Sequence, residues 1–463
     1  MRNHQGRSRN KILQLITPLV LAACGSSKKT DGYPNLEKLE GSPNADYIQA
    51  TTDADLIVAL SGDDRIYAYA GNDQIYPGSG LDTVYAGEGD DIIFIDALGD
   101  YIDGGLGYDT LTIVGALLRE PLTADLRQGN IVINNNITGI QTELNSIENL
   151  NFANVAPLTI YTSIDDNIIE TGPAGDKITL VAGNDIVNAN EGNDIITILS
   201  GSHQINLGEG GDITSFSSGF QKINGGLGSD TIEFVSPQKT QLTIDVVSGE
   251  LRSSSSILAE FEQIEKFQIN GGPGIFLGSE KSESFTGSDY SDEFFGNGGT
   301  DIYQGNLGND LFHLSTKGQS YTKILDLDIS DSLDLIKISR DGANVTSNGE
   351  NIITVNFSEA GTKLISNQNS IFRFISEPGF NADQDILMSL NGQSGITTIS
   401  EIILKNACMV ALWYDEAESA TKISLVADTN SNGTLDYITT FGELTNITQS
   451  DLLQITTDSF IIS

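Results

Sequence analysis

The sequence predicts an all-β protein: solenoid arrays that coil into a two-sheeted roll, separated by strand-rich spacers and closed by a β-rich C-terminal domain. Three observations predict it. An acidic residue recurs every nine positions at Asp46, Asp55, Asp64, Asp73, Asp82, Asp91, Asp100 and Asp109. Two residues after each stands one aliphatic side chain: Ile48, Ile57, Ile66, Ile75, Val84, Ile93, Ile102 and Leu111. The same grid returns 121 residues later at Asn167, Asp176, Asp185, Asp194, His203, Asp212, Gln221 and Asp230.

The chemistry follows from the spacing. Glycine is favoured just ahead of the Asp, as Gly62, as Gly71, as the pairs Gly78 with Gly80 and Gly87 with Gly89, and as Gly104, Gly105 and Gly107. The last set completes a G-G-x-G-x-D-x-U unit. Glycines reach backbone angles closed to other residues and let carbonyls converge in a tight turn, while the Asp adds a hard anionic oxygen. Each such turn is a candidate calcium half-site. The residues after the Asp are extended, with the aliphatic side chain directed to one face. Turn plus strand fills nine residues, so eighteen make one coil and turns eighteen apart stack. Asp46, Asp64, Asp82 and Asp100 are then expected along one edge and Asp55, Asp73, Asp91 and Asp109 along the other, with calcium between stacked turns.

These residues resemble the hemolysin-type, or repeats-in-toxin, calcium-binding nonapeptide array. The resemblance implies a parallel β-roll that is disordered without calcium, holds several structural Ca2+ ions and usually belongs to exported bacterial proteins. In the first array the turns that fit the pattern carry Asp64, Asp73, Asp82, Asp91 and Asp109 with the glycines already named. In the second they carry Asp176, Asp185 with Gly183, Asp194 with Gly192, Asp212, and Asp230 with Gly225, Gly226 and Gly228. A shortened third array adds Glu283, Asp292, Asp301 with Gly299, and Asp310 with Gly305 and Gly308. Its inward positions are aromatic, Phe285, Phe294, Tyr303 and Phe312, which predicts a thicker end to the roll. Asp55 and Asp100 lack the preceding glycines, so weak or absent binding is expected there. Neutral imidazole is a poor calcium ligand, and His203 reads as a lost site rather than a transition-metal site.

The boundaries read along the chain are a signal segment at 1–23, a polar tether at 24–40, arrays at 41–115, 163–235 and 283–318, spacers at 116–162 and 236–282, and a closing domain at 319–463. The spacers repeat too: Leu242 to Val246 with Gly249 follows Leu122 to Leu126 with Gly129, and Ile264-Glu265 echoes Ile147-Glu148. In the closing domain, Ile324 to Leu327 and Asp331 to Ile336 resemble strands that end such arrays, which a solenoid needs to cover its edge. Asp428, Asn430, Asn432 and Asp436 place oxygens at loop positions 1, 3, 5 and 9 around Gly433, with Thr439 where a full calcium loop has Glu. A second kind of calcium site and a plain Asn/Gly turn both fit. The ending Asp458 to Ser463 resembles the acidic-then-apolar ends of type I secretion substrates, and is read as inherited capping sequence.

At the amino terminus, Arg2, Arg7, Arg9 and Lys11 precede an apolar run that ends in Leu21-Ala22-Ala23-Cys24. This resembles an export signal with a bacterial lipobox, which implies cleavage before Cys24 and a diacylglycerol on its sulfur. An ordinary signal peptide with a chance Cys is the alternative. Gly25 after the Cys suggests the outer membrane by analogy. The 463 residues hold 63 Asp and Glu against 24 Lys and Arg, and four of the cations lie in the signal segment, leaving 20 and a charge of −43. Such a chain disfavours nucleic acid as a partner and opposes its own compaction unless cations neutralise it. With Cys24 lipidated, the lone Cys408 forms no internal disulfide and reads as a buried apolar residue.

Catalysis is not expected. The histidines are His4, His203 and His313, so no H-E-x-x-H zinc helix exists, and there is no G-x-S-x-G elbow. The expected function is a calcium-binding, lipid-anchored surface protein whose stiffened solenoid serves adhesion to a surface or glycan, self-assembly or display. The alternative is an exported calcium-binding hydrolase or toxin-like protein secreted by a type I system.

Overall fold

The computed structural model describes residues 36–115, 119–133, 140–152, 155–236, 239–254, 256–315, 321–327, 335–339, 352–356, 371–375, 408–415, 418–427, 437–447, 451 and 460–462. Among them there is no α-helix. After each grid Asp the chain runs extended for three or more residues, and the side chains alternate out, in, out: in Arg65-Ile66-Tyr67, Ile66 is fully buried. Each short strand buries little alone and gains its stability from the next coil.

Within the first array, strands eighteen residues apart pair in parallel. In the first sheet Tyr47–Gln49, Arg65–Tyr67, Thr83–Glu88 and Tyr101–Leu106 follow one another, so that Ile48, Ile66, Val84 and Ile102 stack. In the second sheet Glu37–Glu40, Asp55–Val58, Gln74–Tyr76, Ile92–Ile95 and Thr110–Ile113 do the same. The roll thus includes Glu37–Glu40, within the segment read as a tether. The aliphatic residues of both sheets meet in one continuous core.

The spacers are built into the roll. After Thr110–Ile113 the chain adds three strands to the first sheet, which runs Tyr101–Leu106, Gln141–Asn145, Asn130–Ile133, Leu122–Asp125 and then Leu158–Tyr161. The second sheet meanwhile steps only from Thr110–Ile113 to Asn149–Asn151 to Ile168–Glu170. In the second unit the insertion enters the opposite sheet: Gln221–Gly228, Ile257–Glu262, Glu250–Ser253, Leu242–Asp245 and Gly274–Leu277. The reason is parity. The duplicated unit contains an odd number of half-coils, so Thr110–Ile113 lies in the second sheet and its counterpart Thr231–Val235 in the first. The extra width added to one face is matched by extra width on the other.

The third array is cored by stacked rings. Phe276, Phe294 and Phe312 stack at centroid distances of 4.8 and 5.1 Å, and Phe285 and Tyr303 at 6.0 Å, all fully buried. Beyond it, Tyr321–Ile324 joins the first sheet between Thr300–Gln304 and Tyr437–Leu444, the last strand of an antiparallel meander with Ala420–Ala427 and Cys408–Asp415. Lys422 Nζ (2.7 Å), Tyr321 hydroxyl (2.6 Å) and Lys323 Nζ (3.1 Å) all donate to Glu443 there. Burial opposes the Glu443 charge, yet these hydrogen bonds bring its carboxyl down to about 2. Phe460–Ile462 pairs with Leu335–Ser339, so the apolar ending is a strand of the second sheet.

Phe294→Ala should destabilise the calcium-loaded protein by about 3–5 kcal/mol, because rings stack on both of its faces. The urea midpoint measures this, and a loss under about 1 kcal/mol would mean that the ring stack does not hold the third array together.

Candidate metal centre

Most grid carboxylates are tied to the coil before them. Oδ1 of Asp64, Asp82 and Asp100 accepts the N–H of Asp46, Asp64 and Asp82 at 2.8, 2.8 and 3.0 Å. On the opposite edge Asp73, Asp91 and Asp109 accept from Asp55, Asp73 and Asp91 at 2.7, 2.7 and 2.9 Å. The second unit continues the ladders through Asp176, Asp185, Asp194, Asp212 and Asp230, and the third through Asp301 and Asp310. The two edges are therefore those expected from the sequence.

The second oxygen behaves differently. Oδ2 of Asp64, Asp73, Asp82, Asp91, Asp100, Asp109, Asp176, Asp194, Asp212 and Asp230 is buried and meets no hydrogen-bond donor. A buried anionic oxygen without a partner is costly, and its regular recurrence calls for a partner the protein itself does not supply. Among the described residues no three His, Cys, Asp or Glu side chains gather closely enough to hold a metal alone. Backbone carbonyls must complete the ligand set, and an all-oxygen set suits a hard cation such as calcium.

The glycines make those carbonyls converge. Gly78 and Gly80 have φ of +93° and +151°, and a Cβ on either would lie 1.9 Å from the carbonyl oxygen of Leu60 or Gly62 in the coil below. At three turns Asn takes the place of the first of these glycines. Asn190, Asn297 and Asn306 adopt positive φ, and their side-chain amides donate to the carbonyls of Thr171, Gly278 and Gly287 at 2.6, 3.1 and 2.7 Å. Leu60 and Tyr69 also take the left-handed conformation, without such an amide.

The substituted rungs supply an internal comparison. His203 Nδ1 lies 3.0 Å from the backbone nitrogen of Asp185 and 3.3 Å from its Oδ2, while Nε2 lies 2.8 Å from the carbonyl of Ser200, to which it donates. Gln221 Oε1 accepts from His203, and its amide nitrogen donates to Gly201 and Ser218 carbonyls. Asn167 Nδ2 donates to the Glu148 carbonyl at 2.7 Å. At all three rungs a nitrogen donor of the protein stands where Asp leaves an oxygen unpartnered.

Other turns are closed by hydroxyl residues four positions before the acid. Ser42, Thr51, Ser279 and Ser288 donate backbone N–H groups to Asp46, Asp55, Glu283 and Asp292, and the last three add their hydroxyls. Asp292, a candidate ligand in the sequence, has both oxygens engaged, since Gly274 N–H donates to its Oδ1. Asp100, expected to be weak, keeps the same unpartnered Oδ2 as its neighbours, but Asp96 and Leu98 stand where Gly78 and Gly80 stand ahead of Asp82. Asp428, Asn430, Asn432, Asp436 and Cys24 lie outside the described residues.

Sequence reasoning missed a second ladder. The residue just before the grid Asp also accepts from the coil above: Asp63 from Leu81 at 2.9 Å, Asn72 from Asp90 at 3.1 Å, Asp90 from Tyr108 at 3.0 Å and Asn193 from Gly211 at 2.7 Å. The signal was present in the Asp63-Asp64 and Asp90-Asp91 pairs. It also missed Asp326, which accepts the N–H groups of Gly305 and Asn306, both at 2.8 Å, and so closes the third array.

Without a cation these carboxyls resist ionisation. Burial, aided by neighbouring carboxylates, pushes Asp73, Asp100 and Asp109 up to about 7 and Asp194 and Asp301 up to about 8. Asp82, Asp91 and Asp230 rise to about 6 for the same reasons.

The family model for the RTX calcium-binding nonapeptide repeat matches residues 40–75, 49–84, 78–97, 160–197 and 277–312. No curated protein matches the chain. The chain therefore carries calcium-binding RTX repeats, and they form a β-roll.

Two outcomes follow from the carboxylate geometry. Asp82→Ala and Asp91→Ala each remove an unpartnered oxygen and the acceptor for one buried N–H, so each should raise the calcium midpoint of folding and cost about 1–3 kcal/mol in calcium. Circular dichroism at stepped calcium concentrations measures the shift, and wild-type midpoints in both variants would remove these turns from the binding set. In chelator the folded carboxyl values lie above the unfolded 3.8, so the fold holds more protons than the coil. Metal-free stability should therefore fall as pH rises from about 4 through 8, and calcium should abolish the fall. Thermal melts in chelator that strengthen over that range would contradict the buried, unpaired state of these carboxyls.

Proposed function

We propose that this protein is a lipid-anchored component of the bacterial surface in which calcium folds and stiffens a β-roll for adhesion, surface assembly or display. The observation that carries the reading is the pair of buried carboxylate ladders in which Oδ2 of ten aspartates, from Asp64 to Asp230, is unpartnered. Such a fold is weak until cations arrive and rigid afterwards. If each site had a Kd of about 10⁻⁴ M at about 2 mM free calcium, it would contribute about 1.8 kcal/mol. Several such sites together match the stability of a whole domain, about 5–15 kcal/mol. Scarce calcium inside the cell would keep the chain exportable, and calcium outside would fold it.

Lys, Arg and an apolar run before Leu21-Ala22-Ala23-Cys24 support lipid attachment at Cys24. The roll is read as non-catalytic, its acids serving as ligands. Adhesion is favoured by a row of outward rings on the first sheet, where Tyr47, Tyr67, Tyr85 and Tyr101 follow at centroid distances of 5.5, 5.0 and 5.8 Å. Tyr47 is 63% exposed, and hydroxyl-bearing rings in a row suit a polar polymer such as a glycan.

The test has two arms. Far-UV circular dichroism with gel filtration, from excess chelator to about 10 mM calcium, should show a coil-to-strand transition with compaction. A chain already folded in chelator and indifferent to calcium would overturn the calcium-folded reading. In a Gram-negative host, palmitate labelling should mark the wild type and spare Cys24→Ala, while an unlabelled wild type would exclude the anchor.

A further inference from the structure

The two hairpin insertions interrupt the nonapeptide grid after Asp109 and Asp230, and neither junction falls in the segments that match the repeat family. At each junction the next rung is a Glu delivered from the far end of the spacer. Glu148 Oε2 accepts the N–H of Asp109 at 2.9 Å, and Glu265 Oε2 accepts the N–H of Asp230 at 3.0 Å. The return contacts agree as closely: the Asp109 carbonyl accepts from Glu148 and Asn149 at 3.3 and 2.9 Å, and the Asp230 carbonyl accepts from Glu265 and Lys266 at 3.3 and 2.9 Å.

Two further oxygens point into each junction. Asp109 and Asp230 are fully buried, and Oδ2 of each has no hydrogen-bond partner. At Gly104, a Cβ would lie 2.1 Å from the carbonyl oxygen of Ser146 and 2.5 Å from Asp109 Oδ2. At Gly225, a Cβ would lie 2.0 Å from the carbonyl oxygen of Gln263 and 2.7 Å from Asp230 Oδ2. Ser146 and Gln263, two residues before the Glu, are both at positive φ, +51° and +55°. The same set of a buried carboxylate, a carbonyl and a second carboxylate therefore occurs twice, once with its hairpin in each sheet.

From this repeated geometry we infer that Asp109, Glu148 and the Ser146 carbonyl form one calcium site, and Asp230, Glu265 and the Gln263 carbonyl a second, and that each ion staples an inserted hairpin into the roll. The inference rests on the calcium reading of the repeats. It extends that reading to ligands 39 and 35 residues apart in the chain, where no nine-residue spacing marks them. Oxygen-only ligands and two carboxylates per ion suit calcium, and a cation removes the repulsion between the paired acids.

The experiment counts bound calcium by equilibrium dialysis on the mature chain, residues 24–463, and follows amide hydrogen exchange in the inserted strands. Glu148→Gln and Glu265→Gln keep an acceptor for the Asp N–H but remove the charge. Each should lower the count by one ion, the double variant by two, with faster exchange confined to strands 122–145 or 242–262. An unchanged count in the double variant, while Asp82→Asn loses an ion, would overturn the staple and leave the repeat reading intact. No loss in any variant, Asp82→Asn included, would overturn both. Should a Gln variant fail to fold, Glu148→Asp and Glu265→Asp retain the charge on a shorter arm. Weaker binding of one ion in each then supports the staple, and wild-type binding overturns it.

Discussion

One constraint governs the molecule: a buried aspartate has two oxygens, and the fold satisfies one. Oδ1 pairs with a backbone N–H of the preceding coil, which sets the stacking register. Oδ2 faces a turn whose carbonyls, pressed together by glycines, are themselves partial negative charges. The ladder therefore aligns the coils while leaving a row of like charges inside each edge. Burial raises the carboxyl pKa values by stripping water from the charge, and the neighbouring carboxylates add repulsion. A hard cation between turns relieves all of this at once, which is why register, stability and metal binding are one property here.

The exceptions follow the same rule. His203, Gln221 and Asn167 put an N–H where the cation would sit, and Thr51, Ser279 and Ser288 put hydroxyl and amide donors there. Each change answers the same electrostatic demand with a donor of the protein. The solenoid is thus a mixture of turns that leave a carboxylate oxygen unpartnered and turns that supply their own partner, stacked on one backbone geometry.

Duplication has shaped the molecule above the level of the turn. The two spacer hairpins fall in opposite sheets because the unit between them has an odd number of half-coils. An even number would have widened the same sheet twice and bent the roll toward one side. The aromatic core of the third array draws on both sheets, since Phe285 and Tyr303 come from one and Phe276, Phe294 and Phe312 from the other.

The sequence by itself determined the all-β class, the eighteen-residue coil, the two edges and the edge on which each grid carboxylate lies, because nine-residue spacing turns directly into position on a solenoid. It also exposed the duplication, through the 121-residue offset. Only the tertiary structure decided where the spacers go, because a hairpin's choice of sheet depends on the summed phase of every coil before it. Only it brought Glu148 to Asp109 and Glu265 to Asp230, since contacts across a hairpin have no fixed sequence interval. And only it separated open turns from closed ones: Asp73 and Asp292 look alike as letters, but the donors around Asp292 come from Ser288 and Gly274 in three dimensions, and those donors decide whether an oxygen is left for calcium.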